Sequence, residues 1–136
     1  MSIALRRGRT CVFVLHVHLV FVTKYRRHVF TKAILSDLRE IFQSVCKDFE
    51  AVWVEFDGEK DHVHLLVNYP PKVSVTRLVN SLKGVSSRMI RKNNYPMIRK
   101  CLWGNALWSP SYFASSCGGA PISIIRQYIE QQNTPV

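Results

Sequence analysis

The sequence predicts an α+β fold: a sandwich with a central antiparallel sheet and two helices on one face. Two observations carry this. Stretches rich in β-branched and aromatic residues (11–24, 51–56, 61–67, 111–117) are separated by two stretches whose apolar residues recur at helical spacing (31–49, 74–92). Their order is strand, helix, strand, strand, helix, strand, which is the split β-α-β pattern of a ferredoxin-like or RRM-like sandwich. A last C-terminal helix, carrying Tyr128, is added to it. A chain of 136 residues that is 47% hydrophobic fits one domain, 1–136, with a workable core.

Residues 1–10 are basic and irregular and read as a loose arm. Cys11 to Lys24 reads as one long strand and contains His16-Val17-His18. Lys24-Tyr25-Arg26-Arg27-His28 follows as a basic, aromatic loop. It has the residues to grip phosphates and stack a base, and it equally fits an ordinary exposed turn. Thr31 is an N-cap, and Ile34, Leu38, Ile41, Phe42, Val45 and Phe49 mark an amphipathic helix. Ala51 to Phe56 alternates as a strand, and Asp57-Gly58 is a hairpin signal. The next strand is Asp61-His62-Val63-His64-Leu65-Leu66-Val67, ended by Tyr69-Pro70-Pro71. Ser74 caps a second helix, with Val75, Leu78, Val79, Leu82, Val85 and Met89 as its buried stripe. Arg77, Lys83, Arg88, Arg91 and Lys92 make its other faces basic. Asn93 to Pro96 stops it. Leu102 to Phe113 is turn-rich, and a strand follows from Ser111 to Cys117. Gly118-Gly119 is a flexible joint, and Pro121 opens the last helix, Ile122 to Gln132. On that helix Tyr128 and Gln132 are four apart and share a face.

Charge narrows the partners. The net charge is +10, and no Asp or Glu occurs between His62 and Ile129, a span with nine Lys and Arg. The first 61 residues are nearly balanced, ten basics against eight acids. A positive body of this kind suits a polyanion, nucleic acid first. Trp103, Trp108 and Tyr112 could stack on bases, although a core role for at least one Trp competes. No apolar run reaches membrane-spanning length, because His and Lys interrupt the longest one. The four cysteines show no C-x-x-C spacing and read as small hydrophobes of a cytoplasmic protein.

Residues two apart on a strand share a face, so His62 and His64 project together, with Asp61 just ahead of them. Two neutral imidazoles on one strand can form half of a divalent-metal site. Alone, the spacing also fits two ordinary histidines, and its repetition at His16 and His18 warns against overreading it.

Taken together, the motifs resemble a known family. Asp61-His62-Val63-His64-Leu65 is similar to the His-hydrophobic-His signature of HUH nucleases. His18 to Arg26, Leu82-Lys83-Gly84, Leu102-Trp103-Gly104, Leu107 to Tyr112 and Tyr128 to Gln132 resemble their single-tyrosine transposases of small insertion sequences, the IS200-like family. The resemblance runs in order from about residue 10 to 132. It implies a metal-dependent enzyme that recognises hairpins at element ends, cleaves single-stranded DNA through a covalent 5′-phosphotyrosine and rejoins strands. Tyr128 then matches the nucleophile, and His62, His64 and Gln132 the ligands of Mg²⁺ or Mn²⁺. Asp61 would support the ligands, while His18, Lys24, Tyr25, Arg26, Arg77, Lys83, Arg88, Arg91, Trp103, Trp108 and Tyr112 are DNA-contact candidates. The family pattern is a homodimer with composite active sites. The rival reading is a non-catalytic RRM-like module that holds single strands or hairpins without cutting. A host-encoded relative that processes chromosomal palindromes would share the chemistry of the first.

Overall fold

The computed structural model of the chain describes residues 5–93, 95–102, 106–116 and 122–132. The elements run β1 (Arg6–Arg7), β2 (Val12–Phe13), β3 (His16–Val22), a 3₁₀ turn (Lys24–Arg26), α1 (Lys32–Asp48), β4 (Val52–Gly58), β5 (His62–Asn68), α2 (Val75–Asn93), α3 (Pro96–Leu102), β6 (Phe113–Ser116) and α4 (Ile122–Gln131). The main sheet is antiparallel with strand order β4-β5-β3-β6. The predicted sandwich is therefore correct, with the histidine strand β5 central and β3 beside it.

The two faces follow from the period of two. Val17, Leu19 and Phe21 of β3 and Val63, Leu65 and Val67 of β5 point to one face. There they meet Ile34, Leu38 and Phe42 of α1 and Leu78, Val79 and Leu82 of α2 in one buried core. Thr31 caps α1 by accepting from the Ile34 N–H at 3.2 Å, and Ser74 accepts from the Arg77 N–H at 3.0 Å, as the sequence predicts. Gly58 lets α1 approach closely, since a Cβ there would lie 2.5 Å from Leu35 Cδ2.

Several local expectations change. The long first strand is broken at Val14-Leu15, and the Leu15 carbonyl accepts from the Tyr69 N–H instead of a ladder partner. Arg6–Arg7 pairs with Val12–Phe13 as a small ribbon, so this part of the basic arm is tied down. A bulge between Trp53 and Glu55 breaks the simple alternation of β4. It turns both Trp53 and Phe56 toward the core, with the Arg39 guanidinium 5.5 and 5.9 Å from their rings. Pro96, which the sequence marks as a stop for α2, is also the first residue of a further helix, α3. Gly118-Gly119 and Trp103 lie outside the described residues.

Candidate metal and phosphate site

The second face of the sheet carries His16, His18, Val20 and Val22 of β3 opposite Asn68, Leu66, His64 and His62 of β5. The His62 and His64 rings lie 4.9 Å apart, as the spacing on one strand requires. His18 joins them, its ring stacked on His64 at 5.6 Å with its Nδ1 buried and unpaired. The second H-x-H thus contributes one of its two members to the same cluster. His62 Nδ1 is 2.7 Å from Asp61 Oδ1. An Nδ1 proton shared with Asp61 leaves the Nε2 lone pair for a ligand, so Asp61 sits where a supporting carboxylate belongs.

Burial, then the nearby His62 and His18, push the His64 pKa down to about 4, against a smaller upward pull from Asp57. At neutral pH His64 is an uncharged donor. Burial pulls the Asp61 carboxyl up, but the His62 hydrogen bond and charge, with Arg26 and His28, leave it below its ordinary value. One pH effect follows. The unfolded chain binds a proton at His64 near pH 6.5, and the fold resists binding it until about pH 4. Stability should therefore fall as pH drops through that window. Because the ring is partly exposed, we expect His64 to contribute on the order of 2 kcal/mol of that loss. Urea denaturation at pH 7 and pH 4.5 measures it, and a loss undiminished in His64→Gln would assign it to other groups.

A cleft of about 420 Å³ opens beside the pair. Its rim holds the carboxylates Asp57, Glu59, Asp61 and Glu130 and the guanidiniums Arg26 and Arg126. Four acids against two bases would repel a phosphate, so the cleft accepts one comfortably only with a further cation beside the imidazoles.

The turn after β3 is strained and firmly held. Tyr25 and Arg26 have φ of 61° and 55°, left-handed values that cost non-glycine residues ~1–3 kcal/mol each. Thr23, fully buried, fixes the turn: its hydroxyl donates to the Arg27 carbonyl at 2.8 Å, and its N–H donates to the Asp61 carbonyl at 2.8 Å. The Lys24 N–H donates to the Leu107 carbonyl, and Arg27 Nη1 to the Cys101 carbonyl at 2.6 Å. This turn brings Arg26 Nε to 3.5 Å from Asp61 Oδ2.

Helix α4 lies on the same face. Ile129 is buried against Val20 and Val22, flanked by Phe113 and Tyr128. Tyr128 and Gln132 are brought together as predicted, but beside Ser109 and Ser111, not the histidines. The Tyr128 hydroxyl donates to Ser111 Oγ at 3.1 Å, and Ser109 Oγ donates to Gln132 Oε1 at 2.8 Å. The Ser109 N–H donates to the Val22 carbonyl, so this group lies across β3 from β5. The helix instead presents Arg126, Ile129 and Glu130 to the cleft. Burial raises the Tyr128 pKa, partly offset by the Ser111 contact.

Two DNA-contact candidates are corrected. Trp108 is 5% exposed and packs against Phe21, Phe30 and Phe42, with Nε1 donating to Ser86 Oγ at 2.9 Å, so its ring cannot stack on a base. Lys83 donates to the Ser109 and Ser111 carbonyls at 2.6 and 3.1 Å, and burial lowers its pKa. Half-buried, it braces the segment that holds Tyr128 and Gln132. Arg77 and Arg88 are exposed, and Arg91 is half-buried. Tyr25 is half-buried beneath Lys24 and Arg27, and Tyr112 is half-buried with its hydroxyl 3.4 Å from Thr76 Oγ1.

The family described as "Transposase IS200 like" matches residues 11–132. The ISDra2 transposase TnpA of Deinococcus radiodurans is 30% identical over 133 residues, covering 98% of this chain and 94% of its own. The transposase for insertion sequence element IS200 of Salmonella typhimurium is 29% identical over 115 residues, 85% of this chain and 74% of its own. A crystal structure of a candidate transposase from Deinococcus radiodurans R1 superposes with a TM-score of 0.86 at 31% identity, covering 96% of this chain and 99% of that one. A REP-associated tyrosine transposase bound to a REP hairpin shares the fold, with a TM-score of 0.55 at 14% identity over 96% of this chain and 69% of that one. With the match extending over nearly the whole chain and including both the histidine strand and the tyrosine helix, the protein belongs to the IS200-like transposase family.

Proposed function

We propose that the protein is a DNA strand transferase. It cuts single-stranded DNA beside a hairpin through a 5′-phosphotyrosine on Tyr128 and rejoins the strands, acting in the cytoplasm as a homodimer. The observation that carries this is the His62/His64 pair, with Asp61 behind His62, at the edge of a cleft too acidic for a bare phosphate. The donor set fits a divalent ion: His64 is neutral and His62 has a free Nε2. Among the described residues no three His, Cys, Asp or Glu side chains form a metal site, so a further donor is needed. Gln132 would supply its amide oxygen. Mg²⁺ or Mn²⁺ held there would polarise a non-bridging phosphate oxygen and offset developing charge.

The chain's own groups do the rest. The Tyr128 oxygen bonds to phosphorus as the P–O3′ bond breaks, leaving a 5′-phosphotyrosine and a 3′-hydroxyl. The ester roughly conserves the bond's energy, so a second 3′-hydroxyl can reverse it and join new ends. Tyr128 and Gln132 must first leave Ser111 and Ser109. Either α4 turns on its own sheet or α4 of a second copy enters the cleft.

The test uses single-stranded hairpin DNA with Mn²⁺. The expected result is a protein–DNA adduct that survives denaturation and disappears with chelator. Tight binding without an adduct, across a broad panel of hairpins, would make the protein a binding module instead. The solved hairpin complex of the distant relative suggests the kind of DNA to include. If Arg77 and Arg88 contact phosphates, log affinity should fall with log salt, at a slope of about 0.7 per contact. A flat response places the DNA elsewhere.

A further inference from the structure

We propose that Arg26 is a catalytic residue, one that contacts the scissile phosphate and neutralises charge on its non-bridging oxygens during strand transfer. The inference rests on the function proposed above and adds a group to it. Three observations carry it. Arg26 borders the cleft that holds His62 and His64. Its Nε lies 3.5 Å from Asp61 Oδ2 in an ion pair without a hydrogen bond, and the same carboxylate holds His62 through its other oxygen. Nη1 and Nη2 make no hydrogen bond to any described residue, so the outer edge of the guanidinium keeps its donors.

The backbone explains why such an arrangement is maintained. Two successive left-handed residues, Tyr25 and Arg26, are an unusual way to end a strand. Hydrogen bonds from Thr23, Lys24 and Arg27 to the backbones of three other segments hold them there. A surface guanidinium that only balanced Asp61 would not need a turn held this way. Strain of this kind gathers where a side chain must be aimed. Arg126, the other guanidinium of the cleft, rides on α4, which carries the nucleophile and has to move. Arg26 sits on the rigid sheet end beside the imidazoles. It can therefore oppose charge before the helix arrives.

In the step proposed, the Tyr128 O–P bond forms and the P–O3′ bond breaks. The phenol proton passes to solvent, and the leaving 3′-oxygen takes up a proton. Charge on the two non-bridging oxygens is highest midway. A forked donor there lowers the barrier as a preorganised oxyanion partner does. Asp61 is a positioning residue on this reading, since it holds Arg26 and His62 at once.

The experiment compares wild type, Arg26→Ala and Arg26→Gln in single-turnover adduct formation. Two hairpin substrates are used: one with the natural phosphate at the cleavage position and one with an uncharged methylphosphonate there. On the natural DNA both variants should be slower by about 100-fold, with hairpin affinity and Mn²⁺ affinity unchanged within about threefold. On the methylphosphonate the deficit should shrink to about threefold or less, because the formal negative charge of the phosphate, which the guanidinium offsets, is removed from the substrate. The glutamine variant keeps a polar side chain of similar length against Asp61, and thermal melting checks that both variants fold. A near-normal rate in both overturns the proposal. So does an equal deficit on both substrates, or a loss of Mn²⁺ affinity that tracks the rate, since either assigns Arg26 to holding Asp61 and His62 in place. A wild type that forms no adduct at all overturns the underlying function itself, a result distinct from these.

Discussion

Replacing Tyr128 by phenylalanine should abolish the covalent adduct while leaving hairpin binding within about twofold. The change removes one oxygen. The ring keeps its place beside Phe113, whose centroid is 5.6 Å away, and beside Ile129. The lost hydrogen bond to Ser111 is a partly exposed one, worth ~1 kcal/mol at most. Folding and DNA contacts should survive, and only nucleophilic attack is lost. The rate of adduct formation should fall by at least ~10⁴-fold, as it does when an acting nucleophile is deleted. Denaturing gels with end-labelled DNA measure the adduct, and gel shift measures binding. An adduct of undiminished yield in the variant would place the nucleophile elsewhere in the chain.

Trp108→Ala should be the most destabilising single change near the site. The indole fills the space between Phe21, Phe30 and Phe42, under β3 and α1, at ring separations of 5.4 to 6.4 Å. Truncation leaves a large cavity and removes the N–H that donates to the fully buried Ser86, whose hydroxyl keeps only its bond to the Lys83 carbonyl. Together these cost about 3–5 kcal/mol, which for a chain of this size lowers Tm by roughly 10 °C or more. Chemical denaturation measures the loss. A variant of normal stability with weakened DNA binding would return Trp108 to the role of base-stacking residue.

What could be seen in the sequence was local in kind. Caps at Thr31 and Ser74 act within three residues, and the pairing of His62 with His64 follows from the strand period alone, so each needed only neighbouring positions. Tyr128 and Gln132 share a helix face for the same reason. The readings that changed depended on distant partners. A tryptophan among basic residues looks the same whether it faces a base or three phenylalanines, and only the fold decides for Trp108. Lys83 reads in sequence as one more basic residue of α2, because the carbonyls that engage it lie 26 and 28 residues further on. The Arg26–Asp61 contact joins positions 35 apart through a left-handed turn that no propensity would assign to Tyr25. Where α4 rests was not legible either, since its described contacts, Ile129 on Val20 and Val22, Tyr128 on Phe113 and Ser111, and Gln132 on Ser109, all reach to other segments.

That docking has a thermodynamic consequence. Two long helices and some twenty buried side chains hold one side of the sheet, whereas among the described side chains of α4 only Ile129 is fully buried against the other, with Tyr128 half-buried beside it. Burying one isoleucine contributes about 1.5–3 kcal/mol, well under the ~5–15 kcal/mol that typically holds a whole domain together. On that comparison α4 should open from the sheet more readily than the domain unfolds as a whole. Its amides should exchange with solvent through that partial opening, while those of β3 and β5 wait for global unfolding.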